Sequence, residues 1–443
     1  MSSFDIELRF LPNVDDDLRA LAIHANQSVL TRLLRQDANQ EDDAVQVPIT
    51  PFAFWLADHW WRLRWECRPL SGLPTEWRQA HELAGIGGGY SWPRVTIWGE
   101  GERVVIVSKA DPVGVIGPVR FLQNFVGFVP GEDFEAATDH LFASATDIAV
   151  GDDRVALSSL IEALSEERTA SDTATWRRME AINGFDPDQA PERLIESLLN
   201  LAERFTLADV EEAAAAQPGN SAASTLETLV GQKSDRMGIP LSFREAVEAG
   251  RRALRTSHRE PWQSAEAVAA ETRRALGVGK RPLRNKTLSE LVGIEPRELQ
   301  TSASDQSLPY GLRIATRQGG DRVLLQAHWG HDRRFELMRS LGDAIWTGNS
   351  PLGPVARSGT ARQKFQRAFA ASLLCPPDAL RDYLQTDDPT DEDISEAARH
   401  FHVAEKTVRT ILVNKRFMER DRLSGIIDDL TSNNSMQNLT DSA

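Results

Sequence analysis

The stretch His328-Trp329-Gly330-His331-Asp332-Arg333-Arg334-Phe335-Glu336-Leu337-Met338-Arg339-Ser340-Leu341-Gly342-Asp343-Ala344-Ile345-Trp346 decides how the second half of this chain reads. Apolar Phe335, Met338, Leu341 and Ile345 recur at helical intervals, so residues 333–346 are predicted to form a helix with one buried face. Just before it, residues 312–315 and 323–327 flank Gln318-Gly319-Gly320-Asp321, the pattern of a hairpin running into that helix. A second helix is predicted over 360–374, ending Phe369-Ala370-Ala371-Ser372-Leu373-Leu374-Cys375-Pro376, where the proline stops it.

Working outward, helices are expected at 264–276, 287–292, 377–384, 394–401 and 405–413. Residues 156–168, 173–182, 190–205, 207–216 and 243–255 are rich in Ala, Leu and Glu and read as amphipathic helices. The first 150 residues read as mixed: a strand at 4–11, a helix at 16–36, a hairpin around Gly99-Glu100-Gly101-Glu102, a strand within 118–129 and a helix at 134–148. Seven of the eleven tryptophans lie between Trp55 and Trp98, in stripes that favour an aromatic core over a base-stacking surface. Gly85-Ile86-Gly87-Gly88-Gly89 follows a helical segment instead of opening one, so it reads as a helix stop and not a phosphate loop. The expected fold is α+β and predominantly helical. Its parts are a Trp-rich α+β domain at 1–150, a helical part at 151–258, a further domain at 259–430 and a disordered polar tail at 431–443.

The last of these domains resembles the ImmA/IrrE family of zinc metallopeptidases. In that family the first helix carries His-Glu-x-x-His after an Arg-Phe approach. The second reads Glu-x-x-Ala-Asn-x-Phe-Ala-x-x-Leu-Leu-x-Pro, its glutamate being the third ligand. Pro261-Trp262, Ala269-Ala270-Glu271, Arg273-Arg274 and Leu276-Gly277 look like the family's opening helix, 288–294 like its continuation, and 391–412 like its closing helical pair. The resemblance implies a zincin-like fold and a zinc site. It also implies a bacterial role in stress response, mobile-element control or phage defence, exercised on a repressor, an antitoxin or a defence-complex component.

At the positions that carry the chemistry, this chain departs from the pattern. Arg339 stands at the first ligand position, Ser340 at the glutamate, Asp343 at the second ligand and Gln363 at the third. A guanidinium does not deprotonate to bind a metal, and a serine is too weak a base to replace the glutamate. The expectation is a pseudo-peptidase without catalysis or cofactor, with Arg339 and Asp343 paired across one helical turn. It would serve as a regulatory or scaffold protein that binds a protein partner. Two alternatives remain. His328 and His331 with Asp343 would form a relocated zinc site in an active peptidase. The pair at 394–412 has the layout of a helix-turn-helix, and Arg399, Lys406, Arg409 and Lys415 would serve a DNA-binding regulator.

Composition limits these readings. The 443 residues carry a formal charge of −15, which opposes indiscriminate binding to phosphate backbones and makes nucleic acid a less favoured partner. No apolar run reaches the roughly 20 residues of a membrane span, and the N-terminus lacks the pattern of a secretion signal. Cys67 and Cys375, the two cysteines, exclude a disulfide framework, so a reducing cytoplasm is the expected compartment.

Overall fold

A computed structural model describes residues 3–12, 17–69, 72–233, 238–242, 244–255, 261–299, 308–316, 320–328, 330–348, 350–386 and 388–418. Helix predominates over strand, as expected for an α+β chain. The expected tail at 431–443, the hairpin residues 317–319 and Trp329 lie outside the described residues. The chain divides into two compact units, Met1–Pro191 and Glu192–Ser432. This boundary falls inside the stretch 151–258 that the sequence sets apart as helical.

In the first unit, β1 (Phe4–Phe10) pairs antiparallel with β2 (Leu18–Ala25), which also pairs with β3 (Ser28–Val29) and β6 (Val45–Pro48). The helix expected at 16–36 is therefore corrected to strands. Leu21, Ile23 and Ala25 are buried at every second position, and Asn26 takes a left-handed φ of 52° that turns the chain into β3. The same span ends in β4 (Leu33–Arg35), which pairs with β5 (Gln40–Asp42) and with β9 (Val119–Phe121). A third sheet contains the expected hairpin, β7 (Val95–Glu100) and β8 (Arg103–Ser108), with β10 (Phe125–Pro130) beside β8.

Helices α1 (Ile49–Asp58), α2 (Trp60–Trp65), α3 (Thr75–His81), α4 (Gly131–Ile148), α5 (Gly151–Thr169) and α6 (Ser171–Ile182) complete this unit. Its tryptophans form a core: Trp55, Trp60, Trp61, Trp77, Trp92 and Trp98 are buried. Half-buried Trp65 packs between two guanidiniums, Arg64 at 3.8 Å and Arg178 at 3.7 Å from the ring centre. Three indole N–H groups donate inward, Trp55 to Gln79 O, Trp60 to Thr138 and Trp61 to Glu167, so the rings are fixed in place.

In the second unit, α7 (Glu192–Arg204), α8 (Leu207–Ala216) and α9 (Ala222–Thr228) precede the mixed part. There β11 (Ile239–Leu241), β12 (Gly311–Ala315), β13 (Asp321–Leu324) and β14 (Leu352–Val355) make an antiparallel sheet in the order β11-β13-β12-β14. Around it lie α10 (Arg244–Arg255), α11 (Pro261–Ala275), α12 (Asn285–Val292), α13 (Gly330–Thr347), α14 (Ala361–Leu374), α15 (Pro377–Leu384), α16 (Asp391–Phe401) and α17 (Glu405–Asn414).

Helices α13 and α14 are the two that the sequence marks, and they pack directly on each other. Gly342 makes that approach possible, because a methyl there would press on the Phe369 ring. Leu337, Met338, Leu341 and Ile345 from α13 join Phe365, Phe369 and Leu373 from α14 in one core. Cys375 belongs to the same core, and burial pushes its thiol up to about 12, so it is an inert packing residue.

Candidate functional site

Of the four positions Arg339, Ser340, Asp343 and Gln363, three converge where α13 and α14 meet the sheet edge. Arg339 on α13 donates from Nη2 to Gln363 Oε1 at 2.6 Å and to the Ala356 carbonyl. Gln363 returns its amide N–H groups to Glu212 Oε1 at 2.9 Å and to Pro354 O at 2.8 Å. Asp343, one turn beyond Arg339, takes two bonds from Arg362, Nε to Oδ1 at 2.7 Å and Nη2 to Oδ2 at 3.1 Å. It accepts two more, from Gln366 Nε2 at 2.7 Å and Arg313 Nη2 at 3.2 Å. The expected Arg339–Asp343 pair is thus corrected: Arg362, the neighbour of Gln363, reaches across to Asp343 instead. Ser340 stays apart, fully buried with its hydroxyl 3.2 Å from the Glu336 carbonyl of its own helix.

Sequence reasoning missed the contribution of α8. Asp209 Oδ1 accepts from Arg362 Nη1 at 2.9 Å, and Glu212 Oε1 accepts from the Thr360 hydroxyl at 2.6 Å. Both acids lie in a segment that local spacing marks only as an amphipathic helix. The one available signal is that Asp209 and Glu212 stand three residues apart, which puts both on neighbouring positions of one helix face. Strand β14 was missed too, since Leu352-Gly353-Pro354-Val355 is short and proline-bearing.

These side chains close the edge of the sheet. β14 pairs with β12 on one side, and Leu352, Pro354 and Ala356 turn their main-chain groups to the other. Each of those groups meets a side chain. Leu352 N–H donates to Asp209 Oδ2 at 3.1 Å, and its carbonyl accepts from Arg362 Nη2 at 2.8 Å. The Pro354 carbonyl accepts from Gln363 and Gln366, the latter at 3.0 Å. Ala356 N–H donates to Gln363 Oε1 at 2.9 Å, and its carbonyl takes Arg339. A ladder of side chains occupies the place of a next strand.

Electrostatics follow from burial. Burial would raise the Asp343 carboxyl, but Arg362 and Arg313 outweigh it and hold Asp343 below the usual carboxylate range. Burial raises Glu212 instead, against the pull of Arg362 and its two hydrogen-bond donors. Burial, then neighbouring Arg367, brings Arg339 down to about 9, which leaves it charged at neutral pH. For Arg362, burial is outweighed by Asp343, Glu212 and Asp209, and its protonated form is strengthened.

The donor set does not fit zinc. Of the four positions only Asp343 offers an anionic oxygen, and its two oxygens already receive four hydrogen bonds from guanidinium and amide donors. The relocated set is not assembled either. His331 is exposed at the start of α13, while Asp343 is buried twelve residues on, roughly 18 Å along a helix. Glu336, also on α13, spends its carboxylate on the Gln326 and Ala327 N–H groups, both at 2.8 Å. Among the described residues, no group of three or more His, Cys, Asp or Glu side chains is arranged to hold a metal ion.

The four basic residues of the closing pair separate. Helices α16 and α17 meet at His402, which takes the left-handed φ of 54°. Arg409 is buried and bonds Asp391 at 3.0 Å, and Lys415 pairs with Glu266 at 2.7 Å. Arg399 and Lys406 are exposed beside the turn. No helix among the described residues is long and apolar enough to cross a membrane. No family model matches this chain, and neither does any curated protein or solved structure.

Proposed function

We propose that this chain is a non-catalytic regulatory or scaffold protein whose second unit derives from an ImmA/IrrE-like zinc metallopeptidase and binds a protein partner without cutting it. The observation that carries this reading is the network at β14. A metallopeptidase of this kind needs two things at the α13–α14 crossing: side chains that grip a metal and a free strand edge for an extended peptide. Here Arg339, Arg362, Gln363 and Gln366 take both places, bonding to Asp343 and to the outward groups of Leu352, Pro354 and Ala356. A setting of bacterial stress response, mobile-element control or phage defence comes from the family resemblance, and so does a repressor, antitoxin or defence-complex component as partner.

The test is elemental analysis of the purified chain, before and after incubation with zinc, coupled with co-expression of a candidate repressor or antitoxin. The reading expects substoichiometric zinc and a partner recovered intact. Stoichiometric zinc that is lost in Asp343→Ala, or a partner recovered cut, would sink it.

A further inference from the structure

Arg334 is a buried hub that draws three separate segments to one corner of the second unit. Its guanidinium donates from Nε to the His402 carbonyl at 3.2 Å, and from its two Nη atoms to Asn285 Oδ1 and the Leu283 carbonyl. The hub therefore fixes the α16–α17 turn, the start of α12 and the first turns of α13 against one another. Each segment brings exposed cations or imidazoles with it. Arg284 precedes α12, His331 opens α13, and Arg399, His400 and Lys406 flank His402 along the chain.

The corner is positive although the whole chain is strongly acidic. His402 is held below the ordinary imidazole range first by burial, then by Arg334, His331, Arg284 and His400, all of them groups that carry or can take positive charge. Arg399 has a single partner 3.7 Å away, Glu396, and its side chain is 73% exposed. Arg284, His331 and Lys406 make no ion pair among the described residues. The exposed carboxylates alongside include Asp332, Glu396 and Glu405. Helices α12, α13 and α17 all begin here, and their free N–H groups add partial positive charge.

We propose that this corner is a binding surface for the phosphodiester backbone of nucleic acid, with Arg284, Arg399 and Lys406 as its phosphate contacts. The contacts come from three chain segments, which suits an extended string of phosphates better than one compact anion. The surface differs from base reading by an inserted helix. Val408, Arg409, Ile411, Leu412 and Val413 of α17 are buried, so Arg409 is not among the residues that helix exposes, which are Glu405, Lys406 and Asn414. The inference goes beyond the scaffold reading and does not depend on it, because zinc content has no bearing on the corner.

The experiment uses the full chain and a fluorescein-labelled duplex of mixed sequence, read by anisotropy. Three neutralised phosphates give a salt slope near −2.7, so raising salt fourfold should weaken binding about 40-fold. The triple variant Arg284→Glu, Arg399→Glu, Lys406→Glu should bind more than about tenfold more weakly at low salt, with a flatter slope. The neutral counterpart Arg284→Gln, Arg399→Gln, Lys406→Gln should fall between, and circular dichroism confirms that each variant is folded. Arg154→Glu, an exposed change in the first unit, should leave binding unaltered. The proposal is overturned if the duplex does not bind at low salt, or if folded triple variants bind as wild type does. It is also overturned if a polyglutamate peptide displaces the duplex more effectively than unlabelled duplex.

Discussion

Arg362 Nε lies 2.7 Å from Asp343 Oδ1, joining α14 to α13 through two residues that are almost wholly buried. The same guanidinium reaches Asp209 Oδ1 at 2.9 Å, so one cation ties three helices. Removing it leaves two carboxylates in the interior with fewer donors. Arg362→Ala should cost about 3–5 kcal/mol, since breaking a buried pair leaves an uncompensated charge. Urea unfolding measures this; a loss below about 1 kcal/mol would mean that Arg313 and Gln366 suffice for Asp343.

The two central acids respond oppositely to pH. Asp343 has a lowered carboxyl, so its contribution is complete above the ordinary value of 3.8 and is lost as pH falls through the folded value. Glu212 has a raised one, so its contribution is complete below 4.5 and is lost as pH rises through the folded value. Glu212→Gln keeps an acceptor for Thr360 and Gln363. It should be at least as stable as wild type at about pH 8 and gain less on acidification. A urea midpoint that falls at about pH 8 in this variant would contradict the raised carboxyl.

Placing metal-ligating side chains at the four positions should not create a zinc site. In the combined variant Arg339→His, Ser340→Glu, Asp343→His, Gln363→Glu, buried Arg362 and Arg313 lose their common carboxylate. The expected result is a lower melting temperature and less than one zinc per chain. A folded variant with stoichiometric zinc would show that the four positions alone govern binding.

Gly353 sits against Asp343 so closely that a methyl group would overlap Oδ2. Gly353→Ala should therefore destabilise by about 1–3 kcal/mol, the usual cost of overpacking. The same change at exposed Gly114, whose added carbon meets nothing, should avoid steric overlap but strain its φ of 91°. Comparing urea midpoints separates packing at Gly353 from backbone strain at Gly114.

Arg409 separates structure from binding. Its side chain is buried against Asp391, so Arg409→Ala should lower stability by about 1–2 kcal/mol. Duplex affinity of the folded variant should change less than about twofold, because no phosphate contact is removed. A tenfold loss of affinity in that variant would restore Arg409 to the binding surface.

The sequence by itself determined where most helices of the second unit run. Phe335, Met338, Leu341 and Ile345 reveal α13 because a helix is a local structure, and three-to-four-residue spacing reports its buried face directly. Pro377 marks a helix start for the same reason. That Arg339, Ser340 and Gln363 are poor metal-ligating residue types is likewise plain from residue chemistry alone.

Only the tertiary structure decided what those residues hold instead. Asp343 has an arginine four residues before it, yet its partners are Arg362 and Arg313, 19 and 30 positions away. Asp209 meets Arg362 across 153 positions, and Glu212 meets Gln363 across 151. The span 16–36 failed for a related reason: its apolar residues fit helical spacing, but pairing with β1 imposed a period of two. Local periodicity records which side of a segment is buried. Which polar groups meet there depends on packing between distant segments, where low dielectric strengthens each bond and makes every unpaired group costly.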